Sequence, residues 1–199
     1  HDAKPLYGYY TAIKGKENTQ SEYITRKSEE FIAGSPGETP ICVMVSYVEP
    51  HAPSCPPEEY LERVNPDLLP EILPPVWKDD PDAPQQMLTA ASPKYPYASR
   101  DERSFTDPHA YWKTVRHHYF ADILHLDEQV GRIMKALDGR AGWKNSCILL
   151  TADHGDMLGD MRLTEKLSVH YDASVRIPMI VSMPGCVQRE SDALVQSED

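Results

Sequence analysis

Leu149-Leu150-Thr151-Ala152-Asp153-His154-Gly155-Asp156-Met157-Leu158-Gly159-Asp160 is the stretch that decides how this chain is read. Ile148, Leu149 and Leu150 form an apolar run that predicts an interior strand. At its end a carboxylate and an imidazole emerge side by side into a loop punctuated by Gly155 and Gly159. Open α/β sheets bind ligands just beyond the carboxyl ends of their strands, and Asp next to His suits a divalent metal. On its own an Asp-His pair after a strand more often describes a solvated loop, so the residues that follow carry the weight.

Those residues are Lys166 at the end of the loop and His170-Tyr171-Asp172-Ala173-Ser174-Val175-Arg176-Ile177-Pro178-Met179-Ile180-Val181, leading into another apolar strand. The stretch from Thr151 to Gly185 resembles the second metal motif of the sulfatases, in the alkaline-phosphatase-like superfamily. The family pattern runs roughly T-S-D-H-G-D-M-L-G-D-H-G-L-W-x-K and continues to S-V-R-V-P-L-I-V and a Pro-Gly. Far upstream, Ile41-Cys42-Val43-Met44-Val45-Ser46-Tyr47-Val48 reads as a strand that opens into Glu49-Pro50-His51-Ala52-Pro53, similar to the family's S-F-x-x-P-H-x-P signature. A histidine flanked by prolines is by itself most often an exposed turn residue. Its order relative to Asp153, His154 and Lys166 is what favours a functional reading. Met161 and Thr164 stand where many members have histidine and tryptophan, so neither is expected to touch substrate.

The resemblance implies an α/β fold, an alkaline-phosphatase-like, mostly parallel sheet flanked by helices, with residues 1–199 forming part of a single catalytic domain. It also implies a sulfuric ester hydrolase. In that family a hydrated formylglycine attacks sulfur and expels an alcohol, and a divalent cation aligns the reacting oxygens. Carried over residue by residue, Asp153 and His154 would be metal ligands, Lys166 would hold a sulfate oxygen, and His51 would stabilise or protonate the departing oxygen. The ion implied is calcium, with manganese or zinc if the chemistry is phosphoryl transfer, because imidazole suits those metals better.

The family's nucleophile motif, Cys-x-Pro-x-Arg or its serine version, is not visible here. Cys55-Pro56-Pro57-Glu58-Glu59 imitates its first positions, but Glu59 stands where arginine is needed and the run directly follows the histidine motif. Cys55 is therefore not read as the nucleophile. The chain is expected to be an internal portion, with the nucleophile half and a C-terminal region outside it and little chemistry of its own. Two other readings stay open: a phosphonate or phosphate ester hydrolase of the same superfamily, and a non-catalytic relative that keeps only the fold.

Composition sets the outer bounds. A net charge of −11 argues against nucleic acid as partner, since gripping a phosphate backbone draws on clustered Lys and Arg. It leaves room for an anionic small-molecule or carbohydrate sulfate ester, because a bound cation and one lysine reverse the potential locally. No apolar run approaches the roughly 18 residues of a membrane span. Cys42, Cys55, Cys147 and Cys186 show no paired spacing, and Cys42 and Cys147 are expected as small core residues. Compartment and oligomeric state are left open, with the resemblance leaning toward an extracytoplasmic or lysosomal setting.

The predicted order is helix near 20–33, strand 41–48, a Pro-rich irregular insertion over 66–108, helix near 109–138, strand 146–152, loop, and strand 175–182. The insertion contains Leu73-Pro74-Pro75 and Asp80-Pro81-Asp82-Ala83-Pro84, which cannot sustain regular structure. In the long helix, Val115, Tyr119, Ile123, Leu126, Val130, Ile133 and Leu137 recur at three- and four-residue steps. Asp107-Pro108 would start it and Gly139 would stop it. Its histidines, His117, His118 and His125, lack carboxylates at ligand spacing and read as packing or surface residues.

Overall fold

The computed structural model describes residues 12–74, 108–163, 166, 170–193 and 195–196. The first helix, α1 (Gln20–Gly34), starts where Thr19 accepts a hydrogen bond on its hydroxyl from the Glu22 amide at 3.2 Å. That cap satisfies one of the otherwise orphaned amides of the first turn. A one-turn helix α2 (Glu58–Leu61) follows the His51 loop, and the long helix α3 spans Pro108–Asp138. Strand β1 (Ile148–Thr151), one-turn helix α4 (Asp172–Val175) and strand β2 (Met179–Ser182) follow, with short 3-10 turns at Lys16–Asn18, Pro66–Leu68, Trp143–Asn145 and Asp160–Arg162. Residues 75–107, most of the expected insertion, and the Asp107 cap lie outside the described residues.

Helices α1 and α3 pack along one another, and the contact is held partly by charge. Arg132 donates to both carboxylate oxygens of Glu29, at 3.0 and 2.6 Å, and to Glu22 at 2.5 Å. A guanidinium fork meeting a carboxylate in two parallel bonds fixes the rotation of one helix against the other. Arg140, just past α3, donates to the carbonyls of Ser35, Pro36 and Thr39 and so ties the far ends together. Apolar packing gathers instead at the start of α3, where Tyr111, Trp112 and Val115 are buried with Ile72 and Leu158 against them.

Several expectations change. The apolar stripe read along α3 is not the buried face: Val115 is buried, but Ile123 is 42% exposed. The side facing α1 and the His51 loop instead buries Ala121, Asp122, His125 and Gln129, because those neighbours present polar groups of their own. Among the described residues, 41–48 is not hydrogen-bonded into a sheet, and it rests on α1 through a 2.8 Å bond between the Tyr47 and Thr25 hydroxyls.

Pairing of β1 with β2 is antiparallel, Ile148 opposite Ser182 and Thr151 opposite Met179, so these two strands do not supply the parallel pairing expected. Parallel neighbours need a crossover, usually through a helix packed on the sheet. Among its described residues the connection holds a 3-10 turn (Asp160–Arg162) and the single-turn α4, neither long enough to pack along a sheet, and carries the loop of Asp153. Leu149, Ile180 and Val181 are all exposed, as are Cys42 and Cys147, which therefore are not core residues among the described ones. No described helix is long and apolar enough to cross a membrane.

Candidate active site

The loop after β1 is shaped by backbone chemistry that few sequences could accommodate. The Gly155 amide donates to the Ser174 carbonyl at 2.8 Å, and a Cβ at Gly155 would lie 2.0 Å from the Ala173 carbonyl oxygen. Only glycine lets the loop approach α4 this closely. Gly159, at φ 95°, sits in the left-handed region, and a Cβ there would lie 2.7 Å from the Trp112 ring. Between the two glycines Met157 is fully buried, and it packs with Leu163, Met161, Tyr171 and Ala173. Met161 therefore joins an apolar cluster.

Arg116 holds the outer part of the loop from α3. It donates to the Leu158 carbonyl at 3.0 Å, to Asp160 at 2.6 Å, and to the carbonyls of Pro70 and Glu71. Asp160 in turn accepts from the Leu73 amide, and the Met161 amide donates back to the Leu73 carbonyl. With side chains 8% and 16% exposed, this is an ion pair screened from water on both partners. The metal-type loop and the root of the Pro-rich insertion are thus fastened to each other and to α3. Nothing in the sequence singled out Arg116 or Trp112, since an arginine on a long helix is ordinarily solvated.

His51, His154 and Lys166, separated by up to 115 positions, meet at one point. The Lys166 ammonium donates to His154 Nε2 at 2.8 Å and to His51 Nε2 at 3.2 Å, and the imidazole centroids are 6.1 Å apart. Each imidazole has its other nitrogen committed. His51 Nδ1 lies 2.7 Å from the Ala52 carbonyl and His154 Nδ1 lies 2.7 Å from the Gly155 carbonyl. A carbonyl only accepts, so both Nδ1 atoms carry the proton and both Nε2 lone pairs face the lysine.

Asp153 completes the group. Its Oδ1 accepts from the His154 amide at 3.0 Å, and its Oδ2 stands 3.5 Å from His154 Nε2. Two lone-pair donors, one carboxylate and one imidazole, therefore converge on adjacent residues, and the cation that His154 receives here is the Lys166 ammonium. That donor set fits part of a divalent-metal shell. Two side chains are fewer than an ion requires, and among the described residues no group of three metal-ligating side chains occurs. The Asp153 side chain is 88% exposed, open to whatever completes such a shell.

The remaining candidates stand apart from this point. His117 Nε2 faces the carbonyls of Leu61 and Val64, His118 Nδ1 faces that of Thr114, and His125 packs against the Tyr60 ring at 4.8 Å. Cys55 lies between Ser54, bonded to Asp122, and Pro56, whose carbonyl accepts from the Ile13 amide. Arg176 is exposed and 4.0 Å from Asp172.

Comparison with known proteins bears on the family and the fold. The chain is 27% identical to an arylsulfatase of Clostridium perfringens (strain 13 / Type A) over 83% of its length and 32% of the relative's. It is 30% identical to the uncharacterized sulfatase YidJ of Escherichia coli (strain K12), over 91% of this chain and 34% of that one. The chain thus spans about a third of the length of these relatives. Its fold matches that of a phosphonate monoester hydrolase from Silicibacter pomeroyi with a TM-score of 0.67 at 23% identity, covering 94% of this chain and 39% of that one. The fold class is accordingly alkaline-phosphatase-like α/β, here as a partial assembly of helices and a small sheet. The family model for Sulfatase matches residues 1–199, and the chain belongs to the sulfatase family.

Proposed function

We propose that the complete protein hydrolyses sulfate esters, and that this chain contributes His51, Lys166, Asp153 and His154 to its active site. The observation that supports the reading is the meeting of the Lys166 ammonium with both imidazoles beside the Asp153 carboxylate. None of these groups fills the core, and folding alone gives no reason to bring an ammonium, two imidazoles and a carboxylate to one point.

In this reading Asp153 and His154 hold a divalent cation, calcium in preference to manganese or zinc, together with ligands from beyond these residues. When bound, the cation supplies Lewis-acid polarisation of the sulfate oxygens. The nucleophile, a formylglycine, also lies beyond this chain. Lys166, a point charge on a flexible stem, exchanges an imidazole for a non-bridging sulfuryl oxygen and follows the charge as it builds. His51 keeps its Nδ1 proton on the Ala52 carbonyl, so once Lys166 turns to the sulfuryl oxygen Nε2 is the free nitrogen, and a ring that has taken a second proton there from solvent delivers it to the departing alcohol oxygen. An anionic sulfate ester of a small molecule or carbohydrate is the substrate class this arrangement receives.

Turnover of the full-length protein tests the assignment. Lys166→Ala should lower turnover of an aryl sulfate by about 10²–10³, the scale for one preorganised electrostatic donor. His51→Ala should hurt an alkyl or sugar sulfate more than an activated aryl sulfate, because only a poor leaving group needs the proton. Near-normal turnover in Lys166→Ala, or equal losses on both esters in His51→Ala, would overturn the corresponding role. The imidazole at His154, together with the fold shared with a phosphonate monoester hydrolase, favours one second reading, phosphonate ester hydrolysis. A phosphonate monoester turned over faster than every sulfate ester would select it.

A further inference from the structure

The loop carrying His51 is anchored on both sides in one buried polar layer. Two residues before the histidine, Glu49 accepts from the Ser21 amide in the first turn of α1 at 3.2 Å. Three residues after it, the Ser54 hydroxyl donates to Asp122 Oδ2 on α3 at 2.5 Å. Ser54 is 2% exposed and Asp122 1%. The same layer holds Ser21 Oγ, Glu49 Oε2, His125 Nε2 and Gln129 Nε2 as buried polar atoms with no partner among the described residues. The field of Glu49 reaches both Asp122 and His125.

Such a layer is costly to build. A carboxyl group taken from water costs stability unless it is well bonded, and an apolar side chain of the same size would fill the space at less expense. A hydrogen bond has a direction that an apolar contact lacks, so it fixes where the loop sits. Only Ala52 and Pro53 separate Ser54 from His51, and Pro53 has φ restrained by its ring; on the other side the His51 amide is bonded to the Val48 carbonyl at 3.0 Å. A shift at Ser54 is therefore passed to the imidazole.

We infer that Asp122, acting through Ser54, is a positioning residue that sets where His51 Nε2 meets the departing oxygen. The inference rests on the role proposed for His51 and adds to it the support that keeps the imidazole in register with Lys166.

Steady-state kinetics of the full-length protein on an alkyl sulfate and an activated aryl sulfate provide the test. Asp122→Ala should lower kcat on the alkyl ester by about 10- to 100-fold with KM little changed, the scale of a small misplacement of a catalytic group. The aryl ester should lose less. Asp122→Asn, which keeps an acceptor for the Ser54 hydroxyl, should recover most of the loss. In a His51→Ala background Asp122→Ala should add nothing, because a residue that acts only through His51 has nothing left to position. A further loss in that background equal to the loss in the native background, or no loss in either, would overturn the inference while leaving the His51 role standing. If His51→Ala itself changes neither ester, the proposed His51 role fails, and this inference fails with it. Should Asp122→Ala not accumulate as folded protein, Ser54→Ala breaks the same bond and carries the same expected and overturning outcomes.

Discussion

Leu149 and Leu163 flank the same loop and end in opposite surroundings. Leu149, on β1, is 57% exposed, whereas Leu163 is fully buried with Met157. The contrast extends to the two sides of the chain. On the helix side, Trp112, Arg116 and Asp122 of α3 reach the loops of the site through close packing on Gly159, an ion pair and hydrogen bonds. On the strand side, β1 and β2 contact each other and leave Leu149, Ile180 and Val181 open. The strand gives the Asp153 loop its starting point and direction, and the helix gives it support. A rigid scaffold behind a polar loop is what precise placement of charged groups requires.

Unfolding measurements on the 199-residue chain can break this comparison or sharpen it. The largest effect is expected at Leu163→Ala, which removes fully buried atoms next to Met157 and should cost about 2–5 kcal/mol in urea unfolding. A cost near zero would show that the loop cluster is not part of the cooperative core.

The next effect is one of pH. Burial, with Glu49 nearby and opposed by the Ser54 hydroxyl, pushes the Asp122 carboxyl up to about 7. Between the unfolded value near 3.9 and about 7, the folded chain keeps a proton that the unfolded chain has released. Stability from this group is thus fully present below about pH 4 and is lost as pH climbs through about 7, a swing of a few kcal/mol. Asp122→Asn should flatten that slope, and an unchanged slope would remove Asp122 from the account.

The smallest effect belongs to the strand side. Leu149→Ala should change the stability of this chain by no more than about 0.5 kcal/mol, as for other exposed positions away from special features. A cost matching that of Leu163→Ala would mean that β1 is covered and that the two sides are built alike.

The site was more legible than the packing around it. That Asp153, His154, Lys166 and His51 come together was expected from the resemblance, because their residue types follow one another in the family's order and that order survives in one dimension. Helix α1 was expected near 20–33 without its Thr19 cap being singled out, and α3 was readable from its periodicity and the Pro108 start. The buried face of α3 was not. Asp122, His125 and Gln129 lie at helical spacing, but polar residues in that pattern describe a solvated face unless something polar covers them. Their cover, Glu49, Ser54 and Ser21, comes from segments 68 to 108 positions away. The structure also left Cys42, Cys147 and Leu149 exposed, because an apolar run forecasts a buried strand only when neighbours on both faces are in place.

The sequence by itself determined the family, the order of the chemical groups and the two main helices, because those depend on residue identity and local spacing. Tertiary structure alone decided that β1 and β2 run antiparallel, that Arg116 ties the insertion's root to the metal-type loop, and that a buried carboxyl group at Asp122 stands behind His51. Each of those outcomes depends on which distant groups arrive to satisfy a hydrogen bond or cover an apolar face, and one chain position carries no record of its partner's location.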